Sequence, residues 1–252
     1  MGAPGTRIVT VDPPEEEDRH RGLRYSLFVP TAPPHGAILV LHGAGSTRSS
    51  HHDYARSCRD AGFAAMCFDQ RGHGDSDGPM DQRVVEDVVG MAAHLRDRVR
   101  SRTGLASHVP LPLGLRGSSM GGYLALVAAS PAHADAVVAI CPASADGLAD
   151  GLRARRFDFR ADVERLQPVL EEHDALAAAA AYRGRLLLLH AEGDESVPVA
   201  HSRALHAAAP GSRLIVVPGG HHRSIQHDAE LQGETLRFFR RAFGPATTSG
   251  PA

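Results

Sequence analysis

The 252-residue chain has no lysine, no asparagine and no tryptophan, and all 27 of its basic residues are arginine. This bias reads as GC-rich coding and points to a bacterial source. Cysteine is scarce: Cys58, Cys67 and Cys141 are odd in number and lack metal-ligand spacing, so neither a disulfide framework nor a C-x-x-C site is expected. The histidines His51, His52, His221 and His222 offer no H-x-x-x-H spacing either, and no metal or organic cofactor is implied. No stretch approaches the roughly 18 consecutive apolar residues of a membrane span. Residues 1–20 carry the acidic run Glu15-Glu16-Glu17-Asp18 in place of an apolar signal core. A formal net charge of −2, with both signs interspersed, leaves no footprint for nucleic acid or an anionic membrane. The expectation is a soluble, cytoplasmic protein whose partner is a small, neutral molecule.

What is present is an alternation of short apolar runs and helical patterns. Strands are predicted at Arg24–Val29, Ala37–Leu41, Phe63–Phe68, Leu111–Leu115, Ala136–Cys141, Arg185–His190 and Arg213–Val217. Helices are predicted at Tyr54–Ala61, Val84–Arg98, Tyr123–Ala129, Ser202–Ala209 and Glu230–Phe243. Apolar strands alternating with helices predict an α/β fold, a mostly parallel sheet covered by helices on both faces. The length suits a single domain over 1–252, with an N-terminal extension at 1–22 and a tail at 244–252. Residues 144–182 interrupt the alternation with further helical patterns, Val163–Leu170 and Leu176–Tyr182, and are expected to form a small helical lid.

The most specific local signal is Gly117-Ser118-Ser119-Met120-Gly121, a G-x-S-x-G motif between an apolar run and the alanine-rich pattern that follows. It predicts a sharp strand-to-helix turn that holds a serine in a strained conformation with its hydroxyl exposed above the sheet. Glycines two residues either side of Ser119 select it over Ser118, since the crowded turn needs small neighbours. The backbone N–H of Met120, the next residue, is then placed to stabilise a developing oxyanion.

A serine nucleophile needs a base, and the base needs a carboxylate to fix its tautomer. Ala191-Glu192-Gly193-Asp194-Glu195-Ser196-Val197-Pro198 follows an apolar strand at the sheet edge where sites of this architecture collect, and Asp194 is its best carboxylate. Pro218-Gly219-Gly220-His221-His222 follows the last strand and offers two adjacent histidines, of which one can face Ser119. The chain order serine, acid, histidine is the one such a sheet requires.

Taken together, these residues resemble the α/β-hydrolase superfamily over about residues 24–243, in particular its small esterases and serine aminopeptidase-like hydrolases. Leu39-Val40-Leu41-His42-Gly43-Ala44-Gly45 resembles the oxyanion-loop motif, Phe68-Asp69-Gln70-Arg71-Gly72-His73-Gly74-Asp75-Ser76 the D-x-R-G-x-G-x-S signature, and Gly193-Asp194-Glu195-Ser196-Val197-Pro198 the acid loop. The resemblance implies Asp194 over Glu192 or Glu195, and His222 over the fallback His221. It also implies Ala44 as the second oxyanion donor, with His42 and Gly43 shaping that loop. Asp69 and Arg71 are read as structural, tying down the loop after their strand.

The implied activity is hydrolysis of small-molecule carboxylic esters through an acyl-enzyme. Thioesters, amides, peptides and lysophospholipids share that chemistry and stay open as substrates. With 5% aromatic residues and no long apolar lid, a lipase acting on lipid aggregates has less support. A non-catalytic receptor on the same fold would need none of these residues as a set.

Overall fold

The computed structural model describes residues 12–244; the tail expected at 244–252 lies beyond them except for Gly244. Four strands form the heart of the sheet: β3 (Ala37–Leu41), β4 (Ala64–Phe68), β5 (Leu113–Ser118) and β6 (Ala136–Ile140). Every residue in them is buried. Burial on both faces explains why β3, β4 and β6 read as continuous apolar runs, whereas β5 carries a buried arginine, Arg116. β7 (Arg185–Ala191) and β8 (Arg213–Val217) extend the sheet on one side, with β3 through β8 parallel. On the other side β2 (Leu23–Phe28) and β1 (Glu16–His20) pair antiparallel, giving the order β1-β2-β4-β3-β5-β6-β7-β8.

Strand β1 lies inside the stretch read as an N-terminal extension. Its sequence EEDRH has no apolar alternation, because edge strands tolerate charge and its charges are locally satisfied. Glu16 accepts hydrogen bonds from Tyr25 Oη and from Arg98 Nη2 at 2.6 Å, which together hold its carboxyl below the usual range despite burial.

Helices α1 (His52–Asp60) and α8 (Ala229–Phe243) cover one face through Tyr54, Cys58, Phe238 and Phe239. Helices α2 (Val84–Thr103), α3 (Met120–Ala128) and α7 (Val199–Ala208) cover the other, through residues such as Val88, Leu95, Tyr123 and Leu205. All nine residues of α3 are buried, as befits a helix apolar on every side. The three cysteines are free and buried.

The 144–182 stretch contains α4 (Ala145–Arg153), α5 (Val163–Glu172) and α6 (Ala175–Ala181). Each starts at a capping side chain, Ser144, Asp162 or Asp174, that accepts a backbone N–H from the first turn. The segment between α4 and α5 is stitched to the loop after β4: Met80 N–H donates to Arg160 O at 2.8 Å and Asp162 N–H to Met80 O at 2.8 Å. Among the described residues no helix is long and apolar enough to cross a membrane.

Candidate active site

The parallel register brings the carboxyl ends of β3, β5 and β6 level, with Leu41 beside Gly117 and Ser118 beside Ile140. Ser119 follows directly, at φ 53° and ψ −118°, a conformation costly for a residue with a Cβ. Its backbone holds it there: its N–H donates to Ile140 O at 2.9 Å, and its carbonyl accepts from Tyr123 and Ala143 at 3.0 Å each. The motif glycines are sterically required. A Cβ on Gly117 would stand 2.0 Å from Gly121 O, and one on Gly121 would stand 2.3 Å from Leu41 O.

The loop after β3 lies against this turn, since a Cβ on Gly43 would be 3.4 Å from Ser119 Cβ. His42 shapes that loop from its interior. Gln70 N–H donates to His42 Nε2 at 3.0 Å, so the ring proton sits on Nδ1 and is donated to Gly43 O at 2.8 Å. Burial, together with His73 nearby, pushes the His42 pKa down to about 4, so the ring stays neutral. Because the Gly43 carbonyl is held on one side of its planar peptide, the Ala44 N–H is turned to the opposite side. The backbone N–H groups of Ala44 and Met120 have no hydrogen-bond partner among the described residues.

Asp194 and His222 come together at the far side of the same edge. Asp194 Oδ2 accepts from His222 Nδ1 at 2.7 Å, while Oδ1 accepts from the Ser196 and Val197 N–H groups at 2.8 Å each. Burial alone would raise the Asp194 pKa, but the Val197 N–H, His222, the Cys141 thiol and the Ser196 N–H outweigh it and hold the carboxyl below its usual value. The two loops are also joined through backbone, Gly193 N–H to Gly219 O at 3.1 Å. Of the alternatives, Glu195 accepts the His222 backbone N–H at 3.2 Å, and His221 donates its own N–H to Ser224 Oγ at 3.0 Å. Among the described residues no hydrogen bond links Ser119 to His222, whose Nε2 is the ring atom left over for it. Such contacts commonly tighten only when substrate is bound.

Two neighbours of the acid carry no sequence signal for this place. His190, read as the end of a strand, accepts from Ser202 Oγ at 2.7 Å and donates Nε2–H to Val197 O at 2.9 Å, so it braces the acid loop; burial keeps it neutral. Cys141 stands at φ 43° with its thiol turned to Asp194, and burial raises its pKa. Only the fold brings these side chains together. In the D-x-R-G stretch, Asp69 and Arg71 do not pair with each other. Asp69 accepts from the Arg48 N–H at 2.7 Å, and Arg71 forms a two-pronged pair with Asp87 of α2 at 2.9 and 2.8 Å.

Beside Met120, apolar side chains that include Met80, Tyr123, Leu148, Leu152 and Phe159 close under α4 and α5 around a cavity of only about 10 Å³. An open, polar depression flanks the loop after β3, bordered by Gly45, Thr47, His73, Asp158 and Arg160.

A family model described as serine aminopeptidase, S33 (Hydrolase_4), matches residues 32–161, just over half of the chain. The chain belongs to this family. It is 30% identical to a monoacylglycerol lipase of Mycolicibacterium smegmatis, over 79% of this chain and 85% of that one. It is 33% identical to human monoglyceride lipase over 45% of this chain and 37% of that one. Among solved structures, Est1E from Butyrivibrio proteoclasticus superposes with a TM-score of 0.70 at 16% identity, covering 90% of this chain and 98% of that one. The monoacylglycerol lipase of Paleococcus ferrophilus superposes with a TM-score of 0.63 at 21% identity, covering 88% and 98%. These structural neighbours share the α/β-hydrolase fold, which is the fold of this chain.

Proposed function

We propose that this protein is a serine hydrolase that cleaves carboxylic esters of small molecules through an acyl-enzyme. Ser119 attacks the carbonyl, and His222 takes the serine proton and passes it to the leaving alcohol. Asp194 fixes the His222 tautomer, and the Ala44 and Met120 N–H groups stabilise the oxyanion. Water then enters in place of the alcohol and repeats the sequence in reverse. No step calls for a metal or cofactor.

The observation that carries this reading is the meeting at one sheet edge of a strained serine, two unpartnered backbone N–H groups and a histidine bound through Nδ1 to a buried carboxylate. A receptor on this fold would gain nothing from the backbone cost at Ser119. The apolar lining beside Met120, which has to part to admit a chain, favours an aliphatic acyl group, and the polar depression favours a small polar alcohol. The relatives named as monoacylglycerol lipases agree with that division. Helices α4 and α5 roof the acyl cavity and serve as the lid.

A panel of nitrophenyl esters of increasing acyl length tests the proposal, run with wild type and a folded Ser119→Ala variant. Turnover that peaks at a medium chain and disappears in the variant is expected. Turnover unchanged by Ser119→Ala would overturn the assignment.

A further inference from the structure

Strand β5, which delivers Ser119, has an arginine where burial on both faces calls for an apolar residue. Arg116 is 1% exposed. No carboxylate accepts from it among the described residues, and its Nε and Nη1 have no hydrogen-bond partner. What it does have is the ring of Tyr54, whose centroid lies 3.8 Å from the guanidinium carbon, and the carbonyl of Gln226, which accepts from Nη2 at 2.8 Å. A cation–π contact and one charged hydrogen bond recover only part of the desolvation cost of a buried guanidinium. An apolar side chain of similar length would fill the same space at less cost, so packing does not explain the residue.

The position of its acceptor does. Gln226 lies in the 218–228 loop between β8 and α8, four residues after His222, while Arg116 lies three residues before Ser119. The other hydrogen bonds of that loop run to the acid loop, to itself or to α8: Gly193 to Gly219, His222 to Glu195, Ser224 to His221, and Gln232 to the same Gln226 carbonyl at 3.4 Å. Among the described residues Arg116 is the only hydrogen-bonded link from the histidine loop to β5. The loop also meets α1 and the turn before it, through His227 to Asp53 at 3.6 Å and a stack of His227 on His51, but its hydrogen-bonded tie to the strand that carries Ser119 is the guanidinium.

We propose that Arg116 is a positioning residue: through Gln226 it sets the distance of His222 from Ser119, and it is retained for catalysis at the expense of stability. The proposal rests on the serine-hydrolase reading above. Misplacement of a catalytic group by about an ångström is enough to cost on the order of 100-fold in rate.

The test compares wild type, Arg116→Met, Arg116→Lys and Ser119→Ala on a nitrophenyl ester, with thermal melts of each. Arg116→Met is expected to melt at or above the wild-type temperature, because it removes an incompletely paired buried charge. Its kcat should fall about 10- to 100-fold with KM little changed. Covalent labelling of Ser119 by a fluorophosphonate, which draws on the same base, should slow in proportion. Arg116→Lys, which keeps a donor, should recover part of kcat. Arg116→Gln, whose neutral amide is too short to reach Gln226, is measured in parallel and replaces the methionine variant if that one does not fold. Wild-type kcat and labelling in the apolar or glutamine variant would overturn the proposal, as would a loss of kcat that only tracks loss of folded protein. Residual turnover in Ser119→Ala would instead defeat the serine-hydrolase reading, whatever Arg116 does.

Discussion

Asp194 Oδ2 and His222 Nδ1 lie 2.7 Å apart, with the carboxylate wholly buried and the imidazole 15% exposed. The other carboxylate oxygen is already occupied by the Ser196 and Val197 N–H groups, so the acid is fixed by its own loop before the histidine reaches it. The imidazole can present only Nε2 outward. That asymmetry, a rigid acid and a partly open base, is what a proton shuttle requires.

Asp194→Asn tests the orientation directly. The amide preserves shape but can donate to Nδ1, which favours the wrong tautomer. We expect kcat to fall about 10³- to 10⁴-fold with the circular dichroism spectrum retained. A loss smaller than about tenfold would remove the acid from the mechanism.

The same carboxylate predicts an acid limit to stability. Asp194 is held below its ordinary value of 3.8, so its contribution is fully present above that pH and is lost as pH falls through the lower, folded value. In thermal melts, the gap between wild type and Asp194→Asn should be constant from neutral pH down to about 4 and narrow below it. A gap that widened on acidification would mean that the folded carboxyl titrates above its unfolded value.

The motif glycines should fail in graded order. A Cβ on Gly121 meets main-chain oxygens at 2.3 and 2.6 Å that cannot yield, whereas one on Gly122 meets Pro142 Cα at 3.1 Å. Gly121→Ala should cost more than about 3 kcal/mol or prevent folding, while Gly122→Ala should stay within about 1 kcal/mol of wild type. Urea midpoints of the two variants measure the difference.

These glycines also show where sequence reading succeeds. The turn at Ser119 is written in five consecutive residues, and β3, β4 and β6 are apolar throughout because both faces are covered, so local pattern alone locates them. Asp194 and the His221-His222 pair are legible in loops that follow apolar strands, and the resemblance to the family is what singles out His222. What local pattern does not carry is contact across the sheet. Arg116 lies just past the strand predicted at Leu111–Leu115, His190 ends its predicted strand and Cys141 belongs to no ligand spacing, and each gains meaning only from a partner brought up by a different crossover. Strand β1 escaped because the charge of its Glu16 is satisfied by Tyr25 of the next strand and by Arg98 and Arg102, which are far away in sequence. Asp69 and Arg71, read as tying down the loop after their strand, do so through separate partners that the sequence does not reveal, Arg48 and Asp87.

The partnership with Arg48 makes Asp69 a stability residue. Its side chain is fully buried and accepts from Arg48 and from the Asp75 N–H at 3.0 Å. Asp69→Ala would leave Arg48, itself only 12% exposed, without its buried partner. A loss of about 3 kcal/mol is expected, with kcat of the folded fraction unchanged. A folded variant with impaired kcat would instead place Asp69 in the chemistry.

The cavity beside Met120 predicts how specificity can be moved. Its lining is apolar throughout and leaves only about 10 Å³ free, so under the acyl-site proposal selectivity comes from how far that lining yields to a chain. Leu148 lines it from α4 and is 5% exposed, so a larger side chain there takes up the room that an acyl chain would need. Leu148→Trp should shift the preferred nitrophenyl ester to a shorter acyl chain. Activity on the acetate should be retained, and kcat/KM for the longest accepted chain should fall by at least about 10- to 200-fold, the range set by one methylene of lost pocket. If all chain lengths fell together, the variant would have disturbed the turn at Ser119 rather than the pocket, since Met120 belongs to both. If none fell, the acyl group would bind elsewhere, and the polar depression bordered by Thr47 and Arg160 would become the acyl site instead.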